Sequence, residues 1–310
     1  MTRRRRLHAY VHDALDAIQR TALFSDAVNW DDVRGQACSV LTDASCYTDT
    51  HAFLATVLRQ AGGRHSHLTT PQLPQQRELS PRFAAALGPP VPTGHLIETG
   101  PVPVGYLRLP RLSGSLARRR RYLAAGAGVL NVLMPTRPRG WIVDLRANIG
   151  GNMWPMLAVA APLLPTTVLG HFQLPDASYQ TWSQHGGWIR LDGKPMARSR
   201  GPRPDGDEHT PIAVLTSRHT ASAGEAVALA FRAQPAACLI GTPTAGLTTG
   251  NHTHVLRDGT RLHISGSRYA DHRRLPIDGP IPVDRHLTEN TREAALAAAA
   301  DWIHGRTPRL

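Results

Sequence analysis

Lysine is almost absent from this 310-residue chain. Lys194 stands alone, and the rest of the basic charge behind a net +12 is arginine. Any mechanism built on a lysine base therefore has one candidate. Cysteine is scarce as well. Cys38, Cys46 and Cys238 are odd in number and scattered, which excludes a disulfide framework and a zinc-finger spacing. No apolar run reaches the ~20 residues that a bilayer-spanning helix needs. The basic start, Met1 to Arg6, leads into His8, His12, Asp13 and Asp16, so it lacks the apolar stretch of a secretory signal. A cytoplasmic protein with no membrane partner is expected. Histidine is plentiful at 16, yet no H-E-x-x-H or comparable cluster appears, and neither a metal nor another cofactor is expected. The arginine runs Arg3–Arg6 and Arg118–Arg121 are not interleaved with aromatics, so nucleic acid is not an expected partner.

What is present is a chain with apolar content of 41%, enough for a packed core, and with alternating helix and strand signals. The domain reading has four parts. Residues 1–68 form an N-terminal helical subdomain, with Tyr10, Ala14, Ile18 and Ala22 on one helical face and Phe53, Val57 and Ala61 on another. Residues 69–103 read as a surface loop or linker, residues 104–285 as an α/β core, and residues 286–310 as a C-terminal helix. Within the core, Trp141–Leu145 and Ile212–Leu215 read as buried strands. Each is followed by a turn and then an apolar helix, the mark of a parallel arrangement. Lys194 to Glu208, polar and rich in proline and glycine, reads as a linker or mobile loop.

The segment Thr220-Ala221-Ser222-Ala223-Gly224-Glu225 falls where the second strand gives way to its helix. The first amides of a helix lack intrahelical partners and carry the positive end of its dipole, so they suit an oxyanion. A serine placed there can attack a carbonyl while neighbouring amides receive the developing charge. Ser222 can equally serve as an ordinary helix cap. His65, on a loop just past Gly62-Gly63, is a candidate general base, with His67 the competing assignment. An unperturbed imidazole would make activity rise around a pH of roughly 6.5.

Four segments, in order, resemble the serine peptidases of the C-terminal-processing and tricorn-core family. They are Gly63-Arg64-His65-Ser66, Val143-Asp144-Leu145-Arg146-x-Asn148-x-Gly150-Gly151, Thr220 to Glu225, and Gly241-Thr242-Pro243-Thr244-Ala245-Gly246. The resemblance implies a crotonase/Clp-protease-like core. It implies Ser222 as nucleophile, with Gly150, Gly151 and Ala223 forming the oxyanion hole. Asn152, Gly246 and Leu247 are expected to contact substrate. Leu247 occupies the position where the family's serine–lysine enzymes carry their lysine, which points to the tricorn-like branch and to His65 as base. Asp278 stands near the element that supplies that branch's acidic partner to the histidine. About 35 residues separate His67 from Val104, too few for the PDZ module that many members insert there.

The expected activity is hydrolysis of peptide bonds by a Ser–His acyl-enzyme route, with a specific peptide or peptide precursor as the candidate substrate. The cationic chain favours an acidic peptide as substrate. Two other readings share the scaffold: a ligand-binding protein with Trp154 and Met156 lining a pocket, and an esterase, amidase or cyclase of small metabolites.

Overall fold

The computed structural model describes residues 2–71, 90–100, 102–202, 209–289 and 291–306. The chain divides into two compact units: residues 1–81, 173–178 and 249–268, and the remainder. Residues 72–89 and 101 of the expected 69–103 loop lie outside the described residues, as do 203–208 and, in the expected C-terminal helix, 290 and 307–310. Among the described residues, no helix is long and apolar enough to cross a membrane, and no group of three or more acidic, histidine or cysteine side chains could hold a metal ion.

The first unit is helical with a small sheet. Helix α1, Arg3–Thr21, is capped by Thr2 and buries Leu7, Tyr10, Val11, Ala14, Leu15 and Ile18, a stripe at helical spacing. Helix α2, Trp30–Asp43, begins with the Asn29 side chain accepting the Asp32 N–H, and Asp31 and Asp32 suit the positive end of its dipole. It buries Val33, Ala37 and Leu41, a pattern the sequence reading passed over. Helix α3, His51–Gly62, stops at Gly63, whose φ of 74° suits glycine. Strand β1, His67–Thr69, pairs antiparallel with β12, Arg261–Ala270, which also pairs with β11, Thr249–Val255. Leu256, Leu262 and Ile264 close the core under the three helices. The residues of this hairpin therefore belong with the N-terminal helices, where the sequence reading grouped them with the core.

The second unit holds a six-stranded sheet in the order β13-β10-β9-β4-β3-β2. Its members are β2, Thr93–Ile97; β3, Val104–Arg108; β4, Trp141–Asp144; β9, Ile212–Thr216; β10, Ala237–Gly241; and β13, Arg285–His286. All neighbours pair in parallel except β2 with β3. Strand β2 lies in the stretch read as linker; five residues of polar and apolar alternation gave too short a signal. The strand residues sort by parity. Leu107, Trp141, Val143, Val214 and Leu239 face a core built with helices α4 (Leu116–Leu133), α5 (Met153–Ala160) and α6 (Ala223–Arg232). Tyr106, Ile142, Ala213, Leu215 and Ile240 face helix α7, Arg292–His304. A second run of strands follows the order β5 (Val168–Gln173), β6 (Tyr179–His185), β7 (Trp188–Leu191), β8 (Lys194–Arg198). Lys194–Arg198 is thus an edge strand at the start of the stretch read as a mobile loop.

Candidate active site

Strands β4 and β9 lie side by side in parallel, so the loops that follow them leave the same edge of the sheet. One carries Gly150-Gly151, the other Ser222. Three bonds hold the second loop to the first: Ser217 Oγ donates to the Arg146 carbonyl at 2.7 Å, Thr220 Oγ1 to the Leu145 carbonyl at 2.9 Å, and the Ala221 N–H to the Asn148 carbonyl at 2.9 Å. At Gly224 an added Cβ would come within 2.5 Å of that Asn148 carbonyl, which explains glycine in the first turn of α6.

Ser222 itself has φ 52° and ψ −116°, a conformation that favours glycine and costs another residue ~1–3 kcal/mol. Helix α6 starts at the next residue, and every residue from Ala223 to Phe231 is buried. Gly150 comes close enough that a Cβ there would sit 2.8 Å from Ser222 Cβ and 3.3 Å from its Oγ. The amides of Gly151, next after Gly150, and of Ala223, next after Ser222, carry no hydrogen bond among the described residues. The Gly150 amide is different: it donates to Asn148 Oδ1 at 3.0 Å. Of the three expected oxyanion donors, the structure leaves two available and gives the third to Asn148.

The other expected contacts are also redirected. Asn152 Oδ1 accepts the Trp154 N–H at 3.1 Å and caps α5. The amides of Gly246 and Leu247 donate to Glu225, at 2.7 and 2.8 Å, and Glu225 also accepts the Ser222 N–H at 2.7 Å and the Thr244 hydroxyl at 2.5 Å. This buried carboxylate ties the serine turn to the glycine turn. Burial pushes its carboxyl up, against four hydrogen bonds that favour the ionised form. Sequence reading missed Tyr269, a buried residue beside Ser222 whose ring packs edge-on against Trp182 at 5.1 Å. Burial holds that phenol well above the usual tyrosine range, so it stays protonated. Nothing in the sequence around Tyr269 marks it, because its position depends on the sheet. Lys194 is exposed where β7 turns into β8, and Asp278 is exposed.

His65 lies in the first unit, on the loop between α3 and β1. Ser66 Oγ accepts the Ser265 N–H at 2.9 Å and anchors that loop to β12. The His65 ring is partly buried, and its Nδ1 lies 2.7 Å from Thr249 Oγ1. A threonine, where sequence reading had placed Asp278, therefore partners the imidazole. Burial, with the positive charges of His67, Arg64 and His263, pulls its pKa down to about 4, so the ring is neutral and can accept a proton at pH 7. His67 is exposed, stacked on His263 with ring centroids 4.5 Å apart, its Nδ1 on the His65 carbonyl at 3.0 Å.

A serine on a strained turn at the start of a buried helix, followed by an amide that carries no hydrogen bond among the described residues, is the arrangement of a serine hydrolase of the acyl-transfer class. Residues 103–284 match Peptidase family S41, and the chain belongs to that family and is a serine peptidase. It is 28% identical over 295 residues to the nisin-resistance protein of Lactococcus lactis subsp. lactis, covering 95% of this chain and 86% of that one. Among solved structures, a lipoprotein from Streptococcus agalactiae has a TM-score of 0.79 at 24% identity, over 97% of each chain. The photosystem II D1 C-terminal processing protease has a TM-score of 0.57 at 14% identity, over 93% of each. Both share the fold.

Proposed function

We propose that this peptidase cleaves peptide bonds through an acyl-enzyme on Ser222, with His65 as general base. The observation that carries the reading is a serine held in a strained turn at the start of a buried helix, followed by the Ala223 amide, which carries no hydrogen bond among the described residues. In this reading His65 takes the Ser222 proton as Oγ attacks the scissile carbonyl, and the amides of Gly151 and Ala223 receive the oxyanion. The imidazolium then gives its proton to the leaving amine, and water resolves the acyl-enzyme by the reverse sequence.

The substrate in this reading is a specific peptide. The similarity to a nisin-resistance protein makes nisin the first individual peptide to test. The net charge of +12 favours acidic peptides at low salt through steering, an advantage that salt removes. A peptide library containing nisin and matched acidic and neutral sequences, digested and read by mass spectrometry, tests all of this. Cleavage by the wild type that vanishes in Ser222→Ala supports the proposal; equal cleavage by both refutes it.

A further inference from the structure

The hydrogen bond at His65 Nδ1 belongs to a closed ring. Ser265 Oγ donates to Asn251 Oδ1 at 2.8 Å, Thr249 Oγ1 donates to Ser265 Oγ at 3.3 Å, and Asn251 Nδ2 donates to the His65 backbone carbonyl at 3.4 Å. The strand geometry assembles it. Thr249 and Asn251 are two residues apart on β11 and so share a face, and Asn251 pairs across the ladder with Ser265. The register shift at Gly250/Asn251 sits within the ring, where an irregularity re-aims side chains.

The direction of every bond follows from counting protons. The Asn251 amide nitrogen faces a carbonyl, so its oxygen faces Ser265 and can only accept. Ser265 has a single hydroxyl proton, committed to that oxygen, so it accepts from Thr249. Thr249 in turn has no proton left for the imidazole and must accept from it. The proton of neutral His65 therefore resides on Nδ1, and the lone pair on Nε2.

We propose that Thr249, Ser265 and Asn251 are positioning residues that hold His65 in its Nε2-basic tautomer without any carboxylate. This deepens the reading of His65 as base and rests on it. The ring contains no anion, so it orients the imidazole without making it more basic. Nδ1 stays protonated in the imidazolium too, and the same ring serves both protonation states. A carboxylate partner would do something different, since it would also stabilise the cation.

The test reads tautomer and rate separately. Nitrogen-15 NMR of the histidine rings, on Ser222→Ala protein at neutral pH, is expected to show His65 with its proton on Nδ1. Adding Thr249→Val is expected to move most of that proton to Nε2, and Thr249→Ser to restore the original pattern. In the active enzyme, Thr249→Val is expected to lower kcat by roughly 10²-fold with KM little changed, and Thr249→Ser to recover most of it. His65 protonated on Nε2 in the Ser222→Ala protein, or an Nδ1 proton unmoved by Thr249→Val, overturns the ring. The NMR arm needs no catalysis, so it stands apart from the assignment of the base. Should His65→Ala keep full activity while the ring signature is present, the assignment of the base falls and the ring remains.

Discussion

Replacing the nucleophile with glycine should inactivate the enzyme and make it more stable than replacing it with alanine. Ser222 holds φ 52° and ψ −116°, which costs a residue with a Cβ ~1–3 kcal/mol and glycine nothing. Glycine gives back ~0.5–1 kcal/mol through the greater freedom of the unfolded chain. As a helix-cap residue it lies within a few tenths of a kcal/mol of serine. Alanine keeps the strain and is the poorer cap by about 1 kcal/mol, while the hydroxyl is lost in both variants. The balance favours Ser222→Gly over Ser222→Ala by about 1–3 kcal/mol. The assay is urea denaturation followed by tryptophan fluorescence, since every tryptophan but Trp30 lies in the unit that contains Ser222. A glycine variant less stable than the alanine variant would refute the claim that the turn is strained and that the strain is kept for chemistry.

Gly150→Ala should abolish activity and destabilise by ~2–4 kcal/mol, because its Cβ would meet Ser222 Cβ at 2.8 Å and φ is +99°; thermal unfolding and turnover read both effects. Glu225→Gln should cost ~2–4 kcal/mol and most of the activity, since an amide NH2 would face groups that all donate to the carboxylate; activity equal to wild type would contradict its role as the tie between the two turns. The acid limb of kcat/KM should lie near pH 4, because His65 is neutral above its lowered pKa of about 4; a limb near roughly 6.5 would show an unperturbed base. The linked stability has a definite sign. Between pH ~6.5 and 4 the unfolded chain takes up a proton that folded His65 resists, so this site weakens the fold by up to ~1.4 kcal/mol per unit as pH falls, and the effect levels off below 4.

The parts of this site that were legible from the sequence are those set by local chain chemistry. A β-branched run, a small polar turn and an alanine-rich helix place Ser222 at a strand-to-helix junction, and Gly62-Gly63 ends α3 just before His65. The partners of these residues come from elsewhere in the chain and leave no local mark. Thr249 reaches His65 through a strand far away in sequence, and Tyr269 comes to lie beside Ser222 from a strand end. The misassigned contacts share one cause. Gly150, Asn152, Gly246 and Leu247 carry groups that could face a substrate, and only the fold shows that Asn148, Trp154 and Glu225 already engage them. Helix α2 was readable, from Asn29, Asp31 and Asp32 ahead of Val33, Ala37 and Leu41, but its apolar face is only three residues long.

The most direct test of Ser222 as nucleophile and His65 as its base is covalent labelling with a fluorophosphonate probe at neutral pH, the modified residue located by mass spectrometry. One adduct is expected, on Ser222, absent in Ser222→Ala and slowed by roughly 10³-fold or more in His65→Ala, with Lys194→Ala and His67→Ala labelled much as the wild type is. Labelling that persists in Ser222→Ala, or that Lys194→Ala abolishes while His65→Ala spares it, would contradict these roles.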